Sequence, residues 1–223
     1  MKDYLIYPVV FLVGLVIGYL ADKLIELFSH PSEERENKSV ACLQKYHVVK
    51  VFTAIIITTL FAKFGATIYF VSFTYLFAVL IAISFIDMKQ RIIPNKLVMA
   101  AIIGGLPIAV TNFINPLREI YEYDRWAPVT GFFSGSGILL LFALLGAIIY
   151  KSDDAMGMGD VKLMAPIGLY LGWRLCILSL AASIVVAGVV SVFLVLLKIK
   201  GRKDTIPFGP FIALGTYIAI ICS

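Results

Sequence analysis

The sequence predicts an all-α fold: a polytopic membrane protein with about eight transmembrane helices. Three observations predict it. Of 223 residues, 61% are hydrophobic and 15% charged, whereas soluble domains are about 45–50% apolar and about 25% charged. Apolar stretches of eighteen or more residues recur, each long enough to cross a hydrocarbon core of roughly 30 Å. These stretches do not alternate apolar with polar residues, as the strands of a membrane barrel would. The lipid bilayer is therefore the expected surrounding. The net charge of +5 is divided among several loops, so no nucleic-acid partner is expected. Cys42, Cys176 and Cys222 lie in separate segments with no Cys-x-x-Cys pair. No metal site and no disulfide framework are expected.

The elements follow in order. The apolar run from Tyr4 to Phe28 lacks a small-residue cleavage pattern and reads as a retained helix, not a removed signal peptide. Residues 29–47 are polar, too short and too charged to fold alone, and the chain reads as a single membrane-embedded domain over 1–223. A second helix is expected from Val48 to Phe64, with a turn at Gly65-Ala66. A third runs from Thr67 to Ile86 and delivers Asp87 to a loop that closes at Ile93-Pro94-Asn95. Pro94 disfavours helix at Ile93 and suits the first turn of a new one, which extends to Asn112. Residues 113–128 read as a polar connection, and a fifth helix follows from Val129 to Tyr150. After a glycine-rich loop, Asp160 opens a short sixth helix that ends at Leu171-Gly172-Trp173. A seventh runs from Arg174 to Leu197. A basic loop and Ile206-Pro207-Phe208-Gly209-Pro210 lead into the eighth. Gly65, Gly104, Gly105, Gly131, Gly135, Gly137 and Gly146 are expected to let helices pack closely. Trp126 and Trp173 read as interface-belt residues.

Eight crossings alternate sides, and the lysine and arginine count orients them. Of the 19 basic residues, five (Lys2, Lys63, Arg118, Arg125 and Arg174) fall on one side and the other fourteen on the opposite side. The richer side is expected to be cytoplasmic, with both termini outside. Asp87 and Asp160 fall on that same cytoplasmic side.

Ionisable groups at membrane segments mark function. Gly157-Met158-Gly159-Asp160 puts a carboxylate directly after a flexible Gly-x-Gly and before an apolar run, a position suited to capping a helix start. Two carboxylates brought together share a proton. That suits peptide hydrolysis: one ionised aspartate takes a proton from water while its protonated partner donates to the scissile carbonyl. No metal, cofactor or covalent intermediate is needed. Lys162 is read as snorkelling to water, ahead of pairing with a carboxylate or substrate. The alternative reading of the two carboxylates is a proton-coupled transporter. Such transporters usually carry repeats or broken helices near the midplane, and the sequence shows no repeat.

Asp87 with Ile93-Pro94-Asn95, then Gly157-Met158-Gly159-Asp160-Val161-Lys162-Leu163, then Ile206-Pro207-Phe208-Gly209-Pro210-Phe211, resembles the type IV prepilin peptidases. These are integral-membrane aspartic proteases of the Gly-x-Gly-Asp class. The resemblance covers roughly residues 46–223 in order and spacing. It implies that Asp87 and Asp160 are catalytic; Gly157, Gly159, Pro94 and Lys162 are expected to shape the loops or touch substrate. It implies prepilin or pseudopilin partners, whose short basic leaders are cut at the cytoplasmic face of the inner membrane. Many members carry a zinc-binding loop with two Cys-x-x-Cys pairs, linked to methylation of the new N-terminus. Residues 29–47 hold Cys42 alone, so cleavage without methylation is expected.

Overall fold

The computed structural model describes residues 6–28, 48–122, 124–150, 157–199, 201 and 206–223. The expected loop at 29–47 lies outside them. The described residues are helical, without strands. The elements are α1 (Ile6–Phe28), α2 (Val48–Phe64), α3 (Ile68–Gln90), α4 (Asn95–Ile114), the short α5 (Arg118–Tyr121), α6 (Ala127–Tyr150), α7 (Met158–Leu196) and α8 (Gly209–Cys222). Five of these (α1, α3, α4, α6 and α7) are long and apolar enough to cross a membrane, and α2 and α8 are shorter. The chain is a polytopic helical membrane protein.

α7 is not one rod. Gly172 takes φ 72° and ψ 172°, a left-handed conformation that glycine adopts without steric cost. The packing against α6 reveals a reversal at this point. Gly131 of α6 lies against both Gly168 and Gly172, and one turn on, Gly135 lies against both Met164 and Cys176. The two arms, 158–171 and 173–196, therefore run in opposite directions along α6. The expected division of this segment at Leu171-Gly172-Trp173 is what the backbone shows. Tyr121 of α5 braces the reversal: its hydroxyl donates to the carbonyls of Leu169 (3.1 Å) and Tyr170 (2.8 Å). Those carbonyls are left without helical partners by the break.

Other contacts fix the remaining registers. α8 runs parallel to α2, joined by Tyr217–Thr59 and by Lys63 donating to Ile220 and Ile221. It runs antiparallel to the second arm of α7, through Ser179–Thr216. The result is a bundle with two distinct ends. Lys63, Tyr121 and Gly172 mark one end, and Asp87, Asn95 and Gly209 the other. α3 is the central helix, with Phe73, Leu76, Leu80, Ile83 and Ile86 fully buried.

Several element bounds differ from the sequence expectation. α3 continues through Gln90, so Asp87 sits inside its last turn and not in the loop. Polar Lys89 and Gln90 are good helix formers, and Arg91 in the left-handed region closes the helix with its N–H on the Asp87 carbonyl at 2.8 Å. Pro94 is the N-cap of α4, one position before the first turn. The polar connection contains α5, and α6 begins at Ala127. Gly65 turns the chain at φ 60°, and neither Gly65 nor Gly137 packs against another helix. Gly104 and Gly105 do pack closely, against Tyr75, Leu169 and Tyr170.

Candidate active site

At the Asp87 end of the bundle the three motif segments meet. Asp87 is buried on α3 at 6% exposure, and its Oδ2 accepts the backbone N–H of Gly209 at 2.8 Å. That bond joins residues 122 positions apart. Gly209 is the first residue of α8, so the carboxylate faces the positive end of a helix. Arg91 also acts on it electrostatically.

Asp160 comes from α7. The helix begins at Met158, with Gly157 at the N-cap, so Asp160 is its third residue and not the cap. The Asp160 N–H donates to the Gly157 carbonyl at 3.0 Å, and no side chain caps the helix. The first turn starts two residues earlier than expected because Met158 and Gly159 adopt helical geometry despite the glycine. Asp160 still stands in the first turn, where the helix dipole favours a negative charge. It lies within electrostatic reach of Asp87, so the fold brings the two carboxylates together from helices 73 positions apart in sequence.

The loop before α4 completes the arrangement. Gly159 packs on Ile93, where an added Cβ would stand 3.1 Å from the Ile93 Cβ. Lys162 is exposed, and its Nζ donates to Asn95 Oδ1 at 3.3 Å. It reaches water as expected, but its partner is an amide and not a carboxylate. Pro94 orients Asn95 by capping α4, with its carbonyl accepting from Leu97 (3.0 Å) and Val98 (3.2 Å). Gly157 is exposed beside Asp160, whose Oδ2 would stand 2.9 Å from a Cβ at that position. Each residue expected at the site is therefore at this end of the bundle.

Sequence reasoning missed one participant, Gly209, and the basic partners of two carboxylates on α1. Gly209 belonged to a motif with no assigned partner, and the signal was a glycine followed by proline at a helix start. Asp22 and Glu26 stand in the last turns of α1. In the fold Asp22 is buried at 8% exposure, and both face Lys89, with Lys50 also acting on Asp22. An apolar groove of about 390 Å³ runs between α2, α3 and α8 and ends at Ser84, Met88 and Pro210, next to Asp87 and Gly209.

Among the described residues no group of three or more His, Cys, Asp or Glu side chains could hold a metal ion. What the arrangement offers is acid–base chemistry: two carboxylates, one anchored by an amide, beside the exposed Gly157.

Known proteins match this chain. The prepilin leader peptidase/N-methyltransferase of Aeromonas salmonicida is 31% identical over 144 residues, covering 64% of this chain and 46% of that protein. That of Pseudomonas putida is 28% identical over 185 residues, covering 81% of this chain and 61% of its own length. That of Pseudomonas aeruginosa is 27% identical over 178 residues, covering 80% and 58%. The matches span about half the length of these curated relatives. No solved structure matches significantly. The type IV leader peptidase family matches residues 74–192, a span that includes both aspartates, the Ile-Pro-Asn loop and the hairpin of α7. That span is more than half of the chain, and the protein belongs to the type IV leader peptidase family.

Proposed function

We propose that this protein is a membrane aspartic endopeptidase that removes short basic leaders from type IV prepilins or pseudopilins, with Asp87 and Asp160 as its catalytic pair. The observation that carries the reading is the convergence of Asp87, Asp160 and Gly209 at one end of the bundle. In this mechanism the ionised aspartate takes a proton from a water placed between the carboxylates. The water attacks the scissile carbonyl while the protonated aspartate donates to its oxygen. Collapse of the tetrahedral intermediate breaks the C–N bond, and a proton passes to the leaving amine. Gly157 keeps the approach to Asp160 clear of a side chain, Gly159 seats the helix start on Ile93, and Lys162 with Asn95 ties that approach to the loop before α4.

The site lies on the cytoplasmic face of the inner membrane with both termini outside, a placement supported by the fourteen-to-five distribution of basic residues. A reporter enzyme that works only outside, fused after Ser223, should be active, and an inactive fusion would reverse the orientation. Cleavage proceeds without N-methylation, because residues 29–47 hold one cysteine where methylating members hold two pairs.

The test is incubation of the purified protein in detergent with a synthetic prepilin and a methyl donor, followed by mass spectrometry. Leader loss without an added methyl group is expected. Asp87→Asn and Asp160→Asn should each abolish cleavage while leaving membrane insertion intact. Full processing by either variant would sink the pair assignment. Proton-coupled uptake by liposomes without cleavage would favour transport instead.

A further inference from the structure

The pair reading does not use the amide of Gly209. A helix start leaves its first N–H groups without partners inside the helix. In α8, Phe211 and Ile212 both donate to the Phe208 carbonyl at 3.0 Å. Pro210 has no N–H to give, and Phe208 at the N-cap contributes no side-chain bond. The first turn therefore has one donor left over, the N–H of Gly209, and Asp87 takes it. Asp87, which belongs to α3, thus supplies the first turn of α8 with an acceptor that its own N-cap does not provide.

The contact is tight enough to demand glycine. A Cβ at position 209 would lie 2.8 Å from Asp87 Oδ2 and 3.3 Å from its Cβ and Cγ. Those three atoms are the body of the carboxylate, so a methyl could not be accommodated without turning it. Because Pro210 adds no second donor, the bond holds one oxygen and leaves the other available.

We infer that Gly209 is a positioning residue for the reaction: its amide holds Oδ2 of Asp87 and presents Oδ1 to the water and peptide. This rests on the proposed peptidase reading and deepens it. It also gives the two aspartates different settings. Asp87 is anchored from a neighbouring helix, whereas no side-chain bond caps the helix start that carries Asp160. Among the described residues, the other charged groups acting on this pair are Arg91, at the end of α3, and the two carboxylates themselves.

The test uses the full chain and the prepilin cleavage assay. Gly209→Ala should lower kcat by on the order of tenfold to hundredfold with KM changed less than about twofold, since the substrate's binding surfaces are untouched. Gly188→Ala, where an added methyl meets nothing within 4 Å, is the control and should keep wild-type kinetics. A wild-type kcat in Gly209→Ala, or a raised KM with kcat unchanged, would overturn the inference.

Thermal unfolding supplies a second readout that does not depend on activity. The loss of stability caused by Gly209→Ala should largely disappear in an Asp87→Ala background, because the clash is with the carboxylate. An equal loss in both backgrounds would overturn the proposal. If Gly209→Ala alone does not fold, the double variant should fold; its failure to do so is the contrary result. Processing by Asp87→Asn at the wild-type rate would instead strike the pair reading itself, so the two failures are distinguishable.

Discussion

α6 and α7 touch backbone to backbone, and one methyl group is enough to test that contact. A Cβ on Gly168 would lie 2.0 Å from the Gly131 carbonyl oxygen and 2.4 Å from its carbon, and a Cβ on Gly131 would lie 2.2 Å from the Gly168 oxygen. Cβ atoms essentially never approach other atoms below 3.0 Å, so Gly168→Ala must part the helices by about 1 Å, from 2.0 Å to 3.0 Å. The obstacle is backbone, which cannot swing aside as a long side chain could. Overpacking of this kind costs typically about 1–3 kcal/mol. Gly168 lies eight residues beyond Asp160 on the same arm of α7, so the displacement is carried to the carboxylate. A misplacement of about 1 Å remote from the chemistry can cost about 10²-fold in rate. Gly168→Ala is therefore expected to lower the unfolding temperature in detergent and to slow the proposed prepilin cleavage by about ten- to hundredfold. Gly131→Ala should do the same. Gly137→Ala and Gly188→Ala make the identical chemical change in helices where nothing lies within 4 Å. They should be neutral or stabilise by up to about 1 kcal/mol, since alanine favours helix over glycine. A Gly168→Ala protein that unfolds at or above the wild-type temperature would refute the close approach of α6 and α7.

Tyr121→Phe should destabilise by about 1–3 kcal/mol, because two buried carbonyls at the Gly172 reversal lose their donor. Burial, with Tyr69 and Tyr170 nearby, holds the Tyr121 hydroxyl far above the usual tyrosine range of about 10. Above about pH 10 the unfolded chain releases this proton while the folded one keeps it, so stability falls as pH rises, by up to about 1.4 kcal/mol per unit. That slope should be shallower in Tyr121→Phe, and an unchanged slope would count against the buried hydroxyl. Lys63→Met removes a cation from the terminal carbonyls of α8 and should cost roughly 0.5–1.5 kcal/mol in thermal unfolding. In a Cys42→Ser background a maleimide should label exposed Cys222 and leave buried Cys176 untouched; labelling of Cys176 in the folded protein would contradict the α6–α7 packing.

What could be read from the sequence was local. Leu171-Gly172-Trp173 marked the reversal within an otherwise continuous apolar run, because only a glycine takes the required backbone angles freely. The start of α2 at Val48 followed from the change from polar to apolar residues. The position of Asp160 was misread by two residues, because Gly157-Met158-Gly159 suggests a loop while the helix already includes Met158 and Gly159. The end of α3 was placed too early for the opposite reason: hydrophobicity stops at Ile86, but the helix continues for another turn through polar residues. Pairings across long sequence separations left no local trace. Nothing about Gly209 alone says that its amide meets a carboxylate on α3, and nothing about Asp22 says that it faces Lys89. The carboxylates could be named from their motifs, but their surroundings come from tertiary packing.

The bond from Gly209 to Asp87 also sets an order of assembly. A chain emerging from the ribosome presents Asp87 to the membrane 122 residues before the amide that anchors it. Until α8 inserts, that carboxylate lies on a helix with no donor from this partner, and its orientation is undetermined. A nascent or truncated chain that stops short of residue 209 can hold both aspartates and still lack the geometry of the site. Completion of this end of the bundle therefore waits on the insertion of α8.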